Sequence, residues 1–143
     1  MSMDLKSESG REINPSGSAW SFFLELAEAY GWKSAGTASP QWKWYQFWKR
    51  SRAWDGGYAS NDGQTVARED AAAMADALSR VLADPDGDEK QREVNRKLDE
   101  EVRALAKRRY GITLAASKDD SIAAPTDLQA LIEFLRSGSF QIW

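Results

Sequence analysis

Cysteine and histidine are both absent from this 143-residue chain. Without cysteine there is no disulfide, no thiolate metal site and no cysteine nucleophile, and a cytoplasmic protein is the simplest expectation. Without histidine the chain lacks the commonest general base and the commonest metal ligand, so Ser-His and Cys-His mechanisms are excluded. Long apolar runs are missing as well. Nothing approaches the roughly 20 apolar residues of a membrane span, and the polar start MSMDLKSESGREINPSG holds no signal-like run, so no membrane partner is expected. The phosphate loop, the dinucleotide fingerprint and the GxSxG elbow are missing too. No cofactor, no metal and no catalytic residue is therefore assigned, and the reading leans against an enzyme.

What the chain does have is concentrated in one place. Residues 41–54 read QWKWYQFWKRSRAW, with four tryptophans, a tyrosine and a phenylalanine among four cations and no acid. The chain carries −3 overall, so everything outside this stretch carries −7, and any affinity for anions is localised to it. Flat aromatic faces beside cations suit a stacked base, a sugar or a protein hot spot. As a binding surface the stretch would use Trp42, Lys43, Trp44, Tyr45, Trp48, Lys49, Arg50 and Arg52. The competing reading is structural: the rings fill the core while the cations reach outward. On helical spacing Trp44, Phe47 and Trp48 would point inward, leaving Trp42 and Tyr45 in water. Local alternation at Trp42 and Trp44 equally permits an extended arm.

Four helices and some β structure are expected around this segment. The first dozen or so residues, rich in Ser, Glu, Lys and Gly, read as a disordered leader over 1–13, with one α+β domain over 14–143. A helix is predicted from about Ala19 to Tyr30, capped by Ser16 or Ser18 and ended by Gly31. Tyr58–Ser60 and Gln64–Val66 flank Asn61-Asp62-Gly63 and predict a β-hairpin. Arg68 to Ala83 places Ala71, Ala75, Leu78 and Leu82 on one helical stripe, with Glu69 and Asp70 in the first turn where the helix dipole favours acids.

A charged helix follows from about Glu89 to Tyr110. Val94, Leu98, Val102 and Leu105 form its seam, and Glu93–Lys97 and Asp99–Arg103 are favourable pairs on its wet side. The seam is short for a coiled coil. Packing against its own domain is expected, and a monomer is favoured. Ile112–Leu114 reads as a short strand. Thr126 with Gln129 forms a capping box for a last helix that buries Leu128, Leu131, Ile132 and Leu135, and Ser139–Trp143 alternates as a strand does. The fold class expected is thus α+β: a mostly helical single domain with about four helices around a small antiparallel sheet.

Two acidic constellations are weighed and set aside. Asp84, Asp86 and Asp88 resemble the opening of a calcium loop, but Glu89 stands where a glycine is needed and Asn95 where the bidentate glutamate should be, so a turn and helix start explain them better. Asp55 and Asp62 are the acids nearest the aromatic segment, and a carboxylate-dependent hydrolase would need them as a pair. Aspartate beside glycine is far more often a turn.

Gly31-Trp32, Gly36-Thr37, the run from Gly57 to Val66, Glu69-Asp70-Ala71, and Phe134 with Gly138, Phe140 and Ile142 resemble an uncharacterised family of short bacterial proteins. The resemblance covers about two thirds of the chain, implies a shared fold and transfers no catalytic or binding residue. A serine would suit that pattern better than Ala67 before the Arg68 helix. The function expected is a non-catalytic domain that binds another protein, an immunity or antitoxin-like inhibitor in kind. The alternative is a single-stranded nucleic-acid binder acting through 41–54.

Overall fold

The computed structural model describes residues 2–40, 54–116 and 122–143. The chain runs β1 (Leu5–Ser7), β2 (Glu12–Ile13), α1 (Gly17–Ala29), β3 (Gln64–Val66), α2 (Arg68–Ala83), α3 (Gly87–Tyr110), α4 (Pro125–Arg136) and β4 (Phe140–Ile142). The fold is α+β: four helices on a small, wholly antiparallel sheet among the described residues.

The sheet order is β2-β1-β4-β3, so the last strand in sequence lies in the middle. Leu5 pairs with Ile142 on one side of β4, and Gln64 pairs with Ile142 on the other. Beyond β3, Ala38 and Thr65 exchange both backbone hydrogen bonds, at 2.8 and 3.2 Å, which covers that edge for one residue. Such a cover matters because an open edge is a template for unwanted pairing.

Local chemistry explains the helices. Ser16 caps α1 by accepting from the Ala19 N–H at 3.1 Å, and Gly31 at φ +97° ends it. α2 starts at Ala67 without a side-chain cap and relies on Glu69 and Asp70 in its first turn. Gly111, in the left-handed region, closes α3. The core forms where the apolar faces of α1, α2 and α4 meet the sheet: Trp20, Leu26, Met74, Leu78, Leu128, Leu135, Phe140 and Ile142 are all fully buried. Trp20 and Phe134 both meet the Phe140 ring edge-on, at 6.2 and 5.4 Å.

Five expectations need correction. The leader is not structureless: β1 and β2 lie within residues 1–13, and Met3 and Leu5 are buried in the core. The hairpin does not form. Gly63 takes the positive φ expected of the turn, but Gln64–Val66 pairs with β4, and 58–60 is an irregular bend. Ile112–Leu114 is not a strand, for no neighbouring strand offers it a ladder. Thr126 does not cap α4; Ala124 is the N-cap and Pro125 occupies the first turn, where its missing N–H costs nothing. Finally, the α3 seam packs on the body only at its start. Val94 is 7% exposed and Leu98 is partly buried, whereas Val102 and Leu105 are 58% and 42% exposed. Lys97 reaches across to Glu25 at 2.9 Å, while Glu93 lies 3.5 Å from Lys90; the expected Asp99–Arg103 pair is present at 3.0 Å.

Candidate binding site at the base of the aromatic segment

Residues 41–53, and with them Trp42, Lys43, Trp44, Tyr45, Trp48, Lys49, Arg50 and Arg52, lie outside the described residues, as does the expected exposure of Trp42 and Tyr45. The chain on either side is described, and it is tightly organised. Thr37 is the pivot. Its N–H donates to the Gly56 carbonyl at 3.1 Å and its hydroxyl to the Gly57 carbonyl at 2.8 Å. The Trp54 indole N–H in turn lies 3.1 Å from the Thr37 carbonyl and 3.0 Å from its hydroxyl. The two ends of the aromatic segment are thereby held side by side, at the sheet edge that Ala38 covers.

Beneath this pivot lies a buried polar cluster around Asp70. Asp70 is only 4% exposed, and its two carboxylate oxygens are divided between different partners. Oδ1 accepts from the Trp32 indole N–H at 3.0 Å and from the Ala35 N–H at 3.3 Å. Oδ2 accepts from the Tyr58 hydroxyl, which itself accepts from the Gly36 N–H at 2.9 Å. The Tyr58 and Trp32 rings meet edge to face at 5.3 Å. Burial first, then the Asp70 hydrogen bond and charge, raise the Tyr58 hydroxyl well above the usual tyrosine range. A carboxylate in the first turn of α2 is favoured there by the helix dipole, and here it also fastens 32–36 and 58 to that helix.

A second buried polar side chain shapes the return path. Gln64 is fully buried at the start of β3. Its Oε1 accepts from the Asp62 N–H at 3.0 Å, and its Nε2 lies 3.3 Å from the Gly57 carbonyl. Trp20 adds an indole N–H bond of 2.8 Å to the Tyr58 carbonyl. These bonds explain why 58–60 bends instead of pairing: its carbonyls are taken by side chains. Among the described residues no buried side-chain donor or acceptor is left without a partner.

A cleft of about 510 Å³ opens at the pivot, lined by Gly36, Thr37, Ala38, Trp54, Asp55 and Thr65 among others. Its lining is neutral except for Asp55, and small except for that residue and Trp54; Asp55 Oδ1 closes a turn by accepting from the Gly57 N–H at 2.8 Å. Asp62 donates its backbone N–H to Gln64. Asp84 is likewise in local use: it accepts from the Tyr30 hydroxyl at 2.7 Å and from the Asp86 N–H at 2.9 Å. Those two bonds, the tyrosine's foremost, hold its carboxyl below the usual range. Among the described residues no three acidic side chains converge as a metal site, and no helix is long and apolar enough to cross a membrane.

Sequence reasoning missed the cluster, reading Asp70 as a dipole partner and giving Trp32 no role of its own. The one available signal was that Trp32, Gly36, Thr37, Tyr58, Gln64 and Asp70 all belong to the pattern on which the resemblance rests. They meet here, in one place. No protein-family model matches the chain, nor does any curated protein or solved structure.

Proposed function

We propose that the protein is a non-catalytic binding domain of the cytoplasm, an inhibitor of the immunity or antitoxin kind, that engages another protein through the aromatic-basic segment 41–54. One observation supports this above the others: the residues that flank the segment are held side by side at a single pivot built by Thr37, Trp54 and Gly56. Binding residues are commonly carried on an excursion fixed at its base by a rigid scaffold. Tryptophan, tyrosine and arginine are the residue types that dominate interface hot spots. Trp42, Trp44, Tyr45 and Trp48 would supply the anchors, with Lys43, Lys49, Arg50 and Arg52 steering an acidic partner surface.

The test uses the full chain as bait, identification of a retained protein, and affinity measurement with purified partner. A Trp42→Ala, Trp44→Ala double variant should lose roughly 2 kcal/mol or more of binding, the hot-spot scale, while keeping its thermal unfolding temperature. Equal affinity for wild type and variant overturns the reading. So does tight binding of a single-stranded oligonucleotide whose affinity falls steeply with salt, since that dependence reports phosphate contacts.

A further inference from the structure

Five of the seven large apolar side chains left exposed among the described residues lie between Val102 and Leu114. The cause is geometric. At about 1.5 Å per residue, α3 reaches roughly 36 Å against roughly 20 Å for α1, on which its first half packs. Past Leu98 the same seam runs on with Val102 and Leu105 exposed, and no helix or strand of the described residues lies over it. Thr113 and Leu114 do fold back along α3, making a cleft with Glu100, Arg103, Ala104 and Lys107. Positions 100, 104 and 107 each stand two residues beyond 98, 102 and 105, about 200° round the helix, so the returning chain covers the other side.

We propose that the distal half of α3 is a dimerisation face whose occupant is the same half of a second copy of this chain, laid antiparallel. The charge order selects this partner. Asp99, Glu100 and Glu101 precede the apolar pair, and Lys107, Arg108 and Arg109 follow it. A parallel copy sets acid against acid and base against base; an antiparallel copy sets acid against base at both ends and opposes the two helix dipoles. The spacing fits the same register. Leu98, Val102 and Leu105 recur at four and three residues, the coiled-coil seam. A twofold axis passing beside residues 103 and 104 places Val102 on Leu105 of the second copy, and the reverse by symmetry. Glu101, on the seam's flank, then stands beside Arg108 of the second copy. The proposed function rests on residues 41–54 and this one on α3, so failure here leaves that reading untouched.

Sedimentation velocity on the full chain, from about 5 to 500 µM, should show a reversible monomer–dimer equilibrium, as a small interface implies. Glu101→Arg alone or Arg108→Glu alone should each weaken the dimer at least tenfold, since symmetry repeats the repulsion twice. The double variant should recover it. Most tellingly, an equimolar mixture of the two single variants should form a heterodimer, because every pair across the axis is then complementary. Both positions are exposed, so the fold is expected to survive, and circular dichroism checks it. A monomer at all concentrations overturns the proposal, as does a dimer indifferent to these reversals or one abolished only by Trp42→Ala.

Discussion

The molecule contains the same chemical pair twice, a tyrosine hydroxyl donating to an aspartate, in two very different surroundings. Tyr58 and Asp70 lie at the heart of the fold, with Trp32, Ala35 and Gly36 consuming the remaining hydrogen-bonding capacity. Tyr30 and Asp84 lie at the rim, where α1 ends and α2 stops, and water can replace either partner. In both, proximity to the carboxylate and loss of solvent raise the tyrosine above its ordinary range. The difference is what happens when one partner is removed. At the rim water fills the gap, whereas in the cluster the Trp32 indole N–H, paired with Asp70 in a buried bond, has no water to turn to.

The sharpest way to break that contrast is Asp70→Ala, which strands the Trp32 indole, the Ala35 N–H and the Tyr58 hydroxyl together. The Trp32 indole is buried, the Tyr58 hydroxyl is partly buried and Ala35 lies at the surface, so at roughly 1–3 kcal/mol for each group left unsatisfied away from water a loss of about 2–4 kcal/mol is expected. Urea denaturation measures it, and a loss below about 1 kcal/mol would place the cluster with the rim. Tyr58→Phe should cost less, about 1–3 kcal/mol, since it orphans only the Gly36 N–H and part of Asp70. Trp54 fluorescence should report loosening of the pivot in the same variant. Tyr30→Phe, the matched change at the rim, should move the unfolding midpoint far less than Tyr58→Phe; equal shifts would erase the distinction.

Titration gives the gentlest comparison. A tyrosine raised in the folded state contributes stability that is full below its unfolded value, about pH 10, and is lost as pH climbs through the folded value. Thermal unfolding should therefore weaken above about pH 10, and the Tyr58→Phe variant should show less of this alkaline loss. Asp84 has the opposite sign. Its lowered carboxyl contributes above the usual carboxylate range and ceases to do so as pH falls, so Asp84→Asn should flatten the acid limb slightly and, by removing the charge that helps hold Tyr30 up, should trim part of the alkaline loss as well.

The helices were readable from the chain because their causes are local. Arg68–Ala83 was predicted to the residue from its stripe, and Gly31 and Gly111 end their helices as positive-φ glycines should. Leu82 shows the limit of such a reading: it belongs to the stripe yet is 42% exposed, because the stripe is wider than the surface that α4 and the sheet cover. The sheet was half readable. Phe140 and Ile142 alternate visibly, but β1 carries its inward side chains at Leu5 and Ser7, with buried Met3 just before it, within a run otherwise polar. Its pairing partner lies at the far end of the chain, where no local pattern points. Gln64 misled the hairpin reading for a related reason: its side chain is an inward hydrogen-bonding element, invisible to an alternation of apolar and polar. The candidate segment 41–54 stood out by composition alone, whereas the cluster at Asp70 was illegible, since it depends on four groups drawn from two stretches remote from that residue.

The central place of β4 governs how the molecule comes to exist in time. Neither β1 nor β3 has its main partner until Phe140–Ile142 is present, so the sheet cannot assemble before those residues are made. α1, α2 and α3 can form in microseconds from local contacts, yet their apolar faces must wait for a loop spanning nearly the whole chain to close. Slow, sheet-limited folding from a helical and sticky precursor is the expected kinetic signature of such topology. Stopped-flow refolding should show far-ultraviolet helix signal recovering before the burial of Trp20 against Phe140.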